Sequence, residues 1–279
     1  MIADTKRMED RMVGAIIGDI VGSRFEWNNI KTKDFELFHE KCDFTDDSVL
    51  TIAAAKAILE SRRNKTDLAG ETVKWFREIG PRYPGAGYGV GFYGWLWNPD
   101  PKPYNSCGNG AAMRVSACGY AAGTIEEAVE LSRAVTGITH SHPEGLKGAE
   151  ATAVAIVMAR SGITMPFIRD YICKRYYDIN FTLDEIRPRY EFDETCQGTV
   201  PQAFEAFFES KSYEDAIRNA MSIGGDSDTI GAITGGIAGA YWGVPQDIRE
   251  KGMSYLDEEL KEIVLEFEKE FPFGKEGGK

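Results

Sequence analysis

Apolar residues recur at intervals of three and four through most of the chain, most clearly over 49–59 and 149–158, which gathers them on one helical face. The pattern predicts an all-α protein. Strand-like alternation is poor throughout. Thr124 with Glu127, and Thr182 with Glu185, stand at capping-box spacing ahead of apolar or amphipathic runs and mark helix starts. Glycine and proline punctuate at Gly80-Pro81, Pro84-Gly85, Asn98-Pro99-Asp100-Pro101, His142-Pro143 and Val244-Pro245, so many helices with short connections are expected.

Three stretches, 110–122, 148–159 and 229–240, are helical in pattern and rich in alanine and glycine. Small side chains let helix backbones approach closely, so these should form a buried centre wrapped by longer amphipathic helices. Each glycine in 231–239 costs up to about 1 kcal/mol relative to alanine in a helix, and close packing has to offset it. The least regular parts are 190–197 and the tail 273–279, which is expected to fray. With no repeat, linker or shift of composition, residues 1–279 read as a single domain.

Composition narrows the partners. At 279 residues and 43% apolar content the chain can bury a sizeable core. A net charge of −12 opposes encounter with nucleic-acid phosphates or anionic lipid, so neither partner is expected. The five cysteines, Cys42, Cys107, Cys118, Cys173 and Cys196, are scattered and odd in number, which suggests reduced thiols in a cytoplasmic setting. The apolar run 13–21 is short and interrupted by Asp19, and nothing approaches membrane-spanning length.

Candidate chemistry lies in two acidic clusters far apart in the chain. Thr45-Asp46-Asp47 and Asp226-Ser227-Asp228-Thr229 each combine carboxylates with a threonine hydroxyl, and each introduces a small-residue-rich helix. Either could simply cap its helix. Gly224-Gly225, however, lets the chain turn so that Asp226, Asp228 and Thr229 surround one helix start as hard oxygen donors suited to Mg²⁺ or Mn²⁺. Four carboxylates gathered at a helical core would repel one another unless two divalent cations neutralised them.

Three further segments stand out. In Gly18-Asp19-Ile20-Val21-Gly22-Ser23-Arg24-Phe25-Glu26, the terminal acid sits beside Phe25 and Trp27, where a raised pKa would suit proton transfer; an ordinary exposed glutamate is the alternative. Ser106-Cys107-Gly108-Asn109-Gly110-Ala111-Ala112-Met113-Arg114 opens a helix with glycine-rich backbone whose N–H groups could hold phosphate oxygens, although no Walker sequence follows. The 85–91 loop, with Tyr88 and Gly89, is similarly permissive. His140 and His142 suit capping or ligand hydrogen bonding better than zinc, and His39 reads as surface.

Set in order, the motifs GDIVGSRFE, TDDS, GNGAAMR, THSHP and GGDSDTIGAITGGIAGA resemble those of the ADP-ribosylglycohydrolase family, over about residues 12–243. The resemblance implies a single-domain, all-α orthogonal helical bundle with a binuclear metal cleft holding two Mg²⁺ ions, or Mn²⁺ in some members. By position it implies Thr45, Asp46, Asp47, Asp226, Asp228 and Thr229 as metal ligands, with Asp46, Asp228 and Glu26 catalytic. It places Tyr88, Gly89, Ser106, Cys107, Gly108, Asn109, Gly110, Met113, Arg114 and His140 around the ligand. Two positions depart from the family pattern: Ser48 stands where threonine is commoner, and Cys107 where a tyrosine contacts the ligand in the serine-specific branch.

The implied activity is hydrolysis of the glycosidic bond between ADP-ribose and an acceptor on a protein or smaller conjugate, with ADP-ribose as product. Arginine is the preferred acceptor, because bacterial relatives commonly act there and Cys107 leaves the serine-specific pattern. Serine and other O- or N-linked acceptors are alternatives, as are a two-metal phosphoesterase and a non-catalytic, metal-braced ADP-ribose reader. A monomer is expected.

Overall fold

A computed structural model describes residues 12–272, and α-helices carry its architecture. In chain order the first half contains α1 (Val13–Ser23), α2 (Asp46–Asn64), α3 (Leu68–Ile79), α4 (Val90–Trp97), α5 (Gly110–Met113), α6 (Ser116–Ala121), α7 (Ile125–Gly137) and α8 (Pro143–Arg160). The second half adds α9 (Met165–Arg175), α10 (Leu183–Ile186), α11 (Cys196–Phe208), α12 (Tyr213–Ser222), α13 (Ser227–Trp242), α14 (Gln246–Met253) and α15 (Glu258–Glu270). No strand forms among the described residues, where Gly108 and Thr195 make an isolated antiparallel bridge. The chain is therefore all-α. The tail 273–279, expected to fray, lies outside the described residues. No helix among them is long and apolar enough to cross a membrane.

The centre of the fold is the contact between α1 and α13, both buried along nearly their whole length. Their backbones touch through glycine. A Cβ added to Gly18 would lie 1.9 Å from the Gly231 carbonyl oxygen, and one on Gly14 would lie 2.5 Å from that of Gly235. This contact offsets the helical cost of the glycines, which sequence alone left without a partner. Farther along, a Cβ on Gly22 would meet the Ser227 carbonyl oxygen at 2.4 Å. The end of α1, which leads to Glu26, is thereby held against the start of α13, which carries Asp228. Around this pair pack α2, α8, α11 and α12, and the Tyr213 hydroxyl from α12 donates to the Gly14 carbonyl at 2.8 Å.

Several local expectations change. The stretch 110–122 is two short helices, because the backbone leaves helical geometry at Arg114 and Val115, with ψ of 5° and 7°. That break turns the Arg114 side chain inward, against Thr139 and the Phe76 ring. Connections are not uniformly short: residues 24–45 run without helix, pinned by Arg218, which donates to the Lys33 and Phe35 carbonyls at 2.9 and 2.8 Å. Irregularity ends at Thr195, whose side chain caps α11, so Cys196 and Gln197 are helical. Thr182 and Glu185 form a full capping box; at Thr124 only the first half forms, and Glu127 accepts instead from the Gly123 N–H at 2.7 Å. The five cysteines make no disulfide.

Candidate metal centre and cleft

The two acidic segments meet at the floor of one cleft. Thr45 caps α2 by accepting from the Asp47 N–H at 3.3 Å, so the capping role is real and leaves the carboxylates of Asp46 and Asp47 at the helix start. On the other side, Gly224 and Gly225 take left-handed backbone angles, φ of 67° and 82°, and deliver Asp226 to the cap position of α13. The halves touch: the Thr229 hydroxyl donates to Asp47 Oδ2 at 3.2 Å across 182 residues of chain. One carboxylate oxygen each from Glu26, Asp226 and Asp228 lies within 4.8 Å of the others. Asp47, Asp226, Asp228 and Thr229 are buried, while Thr45, Asp46 and Glu26 keep a partly exposed edge.

Crowding shows in the proton affinities. Burial, then the charge of Asp228, pushes the carboxyls of Asp46, Asp47 and Asp226 well above the usual range. The same two causes raise Glu26 to about 7, against a hydrogen bond from Trp27 that favours its charged form. Among the described residues lining the cleft, Arg114 is the permanent cation, and it lies fully buried behind His140. Asp47 Oδ1 is buried without any hydrogen-bond partner. An orphaned carboxylate oxygen at the centre of an all-oxygen donor set fits a hard divalent cation, Mg²⁺ or Mn²⁺, and would be costly without one.

Three residues brace this floor through partners that the sequence does not signal. Asp19 accepts from the Thr45 N–H at 3.0 Å, the Thr45 hydroxyl at 2.7 Å and the Ser48 N–H at 3.1 Å, and also from the Ser48 hydroxyl. Its lone carboxylate in an apolar run was the available signal. Asn29 exchanges hydrogen bonds with the backbone of Gly225 and donates to the Phe25 carbonyl at 2.7 Å, tying the Glu26 segment to the Gly224-Gly225 turn. Asn109, expected beside a ligand, directs its amide at Asp226 Oδ2, 2.6 Å away, and at the Thr199 hydroxyl.

Above this floor the cleft encloses about 660 Å³, within the usual range for small-molecule sites. It brings together every residue expected at the ligand: Tyr88, Gly89, Ser106, Cys107, Gly108, Asn109, Gly110, Met113, Arg114 and His140 all line it. The Tyr88 hydroxyl is already engaged, donating to the Gly80 carbonyl at 3.0 Å, which leaves its ring for the cleft. Met113 lies deep, its sulfur 3.9 Å from the Thr229 hydroxyl. His140 Nδ1 lies 3.2 Å from Arg114 Nη2 and 2.8 Å from the Thr139 hydroxyl. Arginine only donates, so Nδ1 accepts and the ring proton sits on Nε2. That nitrogen faces the backbone of Gly108 and Gly110, where a Cβ would approach it to 3.5 and 3.3 Å. Burial, then Arg114, holds the His140 pKa well below its ordinary value, so the ring is a neutral donor. His142, by contrast, caps α8.

Relatives share both sequence and fold. ADP-ribosylhydrolase ARH3 of Xenopus tropicalis is 25% identical, with 93% of this chain and 94% of that protein aligned. ADP-ribosylarginine hydrolase Tri1 of Pseudomonas putida is 23% identical over 85% of this chain and 71% of its own. A solved structure described as an ADP-ribosylglycohydrolase-related protein complex superposes with a TM-score of 0.62 at 23% identity, covering 93% of this chain and 97% of that one. Residues 2–273 match the family described as ADP-ribosylglycohydrolase, and the chain belongs to that family.

Proposed function

We propose that this protein is a metal-dependent hydrolase that cleaves the glycosidic bond between ADP-ribose and an acceptor, with ADP-ribosylated arginine on protein as its substrate. It would thus reverse mono-ADP-ribosylation. The observation that carries this reading is the convergence of Asp46, Asp47, Asp226, Asp228 and Glu26 on the floor of one cleft. The names of the relatives support an ADP-ribose linkage, and that of Tri1 supports arginine as acceptor. Unpaired thiols and strong net negative charge suit a cytoplasmic enzyme, and a monomer completes the reading.

Thr45, Asp46, Asp47, Asp226, Asp228 and Thr229 would hold the cations, which supply positive charge and Lewis acidity beside the sugar. The protein does the rest. The His140 Nε2–H, beside the 108–110 loop, binds the diphosphate and orients the ribose over the acidic floor. As the bond from C1 to the acceptor nitrogen opens, water adds its oxygen to C1. Glu26, poised near neutrality, takes the proton that water loses and returns it to the departing guanidine. Asn109 and Asp19 keep the carboxylates aimed.

The test is incubation with arginine-, serine- and nucleotide-linked ADP-ribose in Mg²⁺, Mn²⁺ or chelator, with products identified by mass spectrometry. Free ADP-ribose and intact arginine, lost on chelation, are expected. AMP with ribose phosphate would instead mark a phosphoesterase, and tight binding without turnover a reader.

A further inference from the structure

Beside the acidic floor, the cleft has an aromatic lip that the reaction above does not use. Trp27 and Phe192 stack with ring centroids 5.3 Å apart and planes 20° from parallel. They come from distant segments, one directly after Glu26 and the other two residues before Glu194, and all four side chains line the cleft. Trp27 is 76% exposed and Phe192 42% exposed. Large aromatic side chains normally withdraw much of their surface from water, so a two-ring stack left open at a cleft mouth presents a face to a ligand.

Position says which part of a substrate that face meets. Trp27 directly follows Glu26 and both line the cleft, so the lip lies on the side of the group that returns a proton to the leaving acceptor. Donors suited to a polyanion gather instead around Gly110 and His140. Charge says what chemistry fits. Glu26 and Glu194 line the same cleft as the rings, and the cleft's lining arginine, Arg114, is buried away from solvent. Open aromatic faces in a cleft lined by carboxylates attract a planar cation. A guanidinium stacks on an indole face and directs its N–H groups at carboxylates in its own plane, whereas a serine hydroxyl has neither plane nor charge.

We propose that the Trp27–Phe192 stack, flanked in the chain by Glu26 and Glu194, is the acceptor subsite and receives the guanidinium plane of an ADP-ribosylated arginine. This rests on the hydrolase reading above and gives that reading its acceptor pocket. Discrimination between acceptors then comes from the lip, and the metal centre is indifferent to it.

The experiment uses the full-length protein with ADP-ribosylagmatine, an ADP-ribosylserine peptide and free ADP-ribose. Trp27→Ala raises KM for the agmatine conjugate about tenfold, the scale of a largely desolvated cation–π contact, and Phe192→Ala raises it several-fold. The serine conjugate shows no such rise, and calorimetric affinity for ADP-ribose moves by less than about twofold. Phe192, far from Glu26 in the chain and with no hydrogen-bonding group on its side chain, cannot hydrogen-bond to that carboxylate, so an effect confined to Trp27→Ala reports a disturbed Glu26 and overturns the subsite. Equal loss of ADP-ribose affinity in both variants puts the stack under the nucleotide and overturns it too. Agmatine titrated onto the ADP-ribose-loaded protein, followed by tryptophan fluorescence with Trp27→Phe as the blank, needs no turnover. Quenching without cleavage of any conjugate removes the hydrolase reading and keeps the subsite; cleavage without quenching or a KM change does the reverse.

Discussion

Asp19, inside α1, accepts hydrogen bonds from both the backbone N–H and the hydroxyl of Ser48, in the first turn of α2. Thr45 gives it two more, so one buried carboxylate fixes the turn from which Asp46 and Asp47 project. Asparagine keeps the shape but turns an N–H₂ toward these donors. Asp19→Asn is therefore expected to fold, to lose about 1–3 kcal/mol of stability, and to bind Mn²⁺ about 10–100-fold more weakly. Thermal melts and calorimetric Mn²⁺ titration read the two effects separately. An unaltered titration would mean that α2 holds its aspartates without Asp19.

Glu26 is half-buried at the edge of the acidic group and rises to about 7, where one carboxyl can take and return a proton at neutral pH. Glu26→Gln preserves size and removes the titration. Turnover of the preferred conjugate is expected to fall by about 100-fold or more, with ADP-ribose affinity retained. Single-turnover kinetics with calorimetry makes the separation. Wild-type turnover in Glu26→Gln would move the proton transfer to another group.

The sequence discloses this site unevenly, and the reason is physical. Thr45, Asp46, Asp47, Asp226, Asp228 and Thr229 announce themselves because carboxylates next to hydroxyls at a helix start have few uses. Helical period likewise predicts the all-α class. What pattern alone does not reveal is partnership: the glycines of α13 call for a close neighbour, and only the fold supplies Gly14 and Gly18 of α1. Asn109, in a glycine-rich loop that lines the cleft, also turns its amide to Asp226, a contact 117 residues away that the loop does not signal. Asn29 carries no local signal at all, since its partner Gly225 lies 196 residues away.

Proton affinities set a pH signature for the chelated protein. Asp19 rises to about 7, chiefly through burial and then Asp228, Glu26 rises to about 7, and burial and then Asp228 hold Asp46, Asp47 and Asp226 well above the usual range. A carboxyl with a raised folded pKa favours the native state fully below its unfolded pKa of about 4, and that contribution is lost as pH climbs through the folded value. His140 acts oppositely, because its depressed pKa removes stability as pH falls below about 6.5, but it is one group against five. The melting temperature in chelator should therefore fall from pH 5 to pH 8. Cations bind the ionised carboxylates, so the stabilisation by Mn²⁺ should widen over the same interval. Differential scanning fluorimetry at four pH values suffices, and a chelated Tm that climbed steadily with pH would contradict it.

Gly18 tests the seam that aligns the two acidic segments. Its added Cβ would sit 1.9 Å from a backbone oxygen of α13, which cannot rotate away. Gly18→Ala must push α1 from α13, at about 2–3 kcal/mol or more, and should weaken Mn²⁺ binding because Asp228 follows the seam. Gly94 in α4 is the control, since a Cβ there meets nothing within 4 Å. Gly94→Ala should gain up to about 1 kcal/mol from helix propensity. Chemical denaturation of both variants gives the comparison, and equal stabilities would show that the seam tolerates separation.

Arg114 and His140 make a prediction about binding with little bearing on chemistry. Burial lowers the Arg114 pKa to about 10 yet leaves it charged at neutral pH, and no carboxylate among the described residues hydrogen-bonds to it; its neighbours include Thr139, His140 and the Phe76 face. A guanidinium buried at such cost is explained by what it does to the imidazole: Nδ1 is kept as an acceptor, and Nε2–H stays aimed at the glycine loop. His140→Ala should weaken ADP-ribose binding about tenfold, the value of a hydrogen bond to a charged group. Arg114→Met fills the space without a buried charge and frees the ring to change tautomer or take a proton. Its ADP-ribose affinity should drop several-fold at pH 8 and, unlike that of the wild type, vary between pH 6 and pH 8, because a protonated His140 attracts the diphosphate more strongly. Nitrogen chemical shifts of the ring report the tautomer directly. A wild-type ring carrying its proton on Nδ1 would break the chain from Arg114 to ligand, whatever the affinities show.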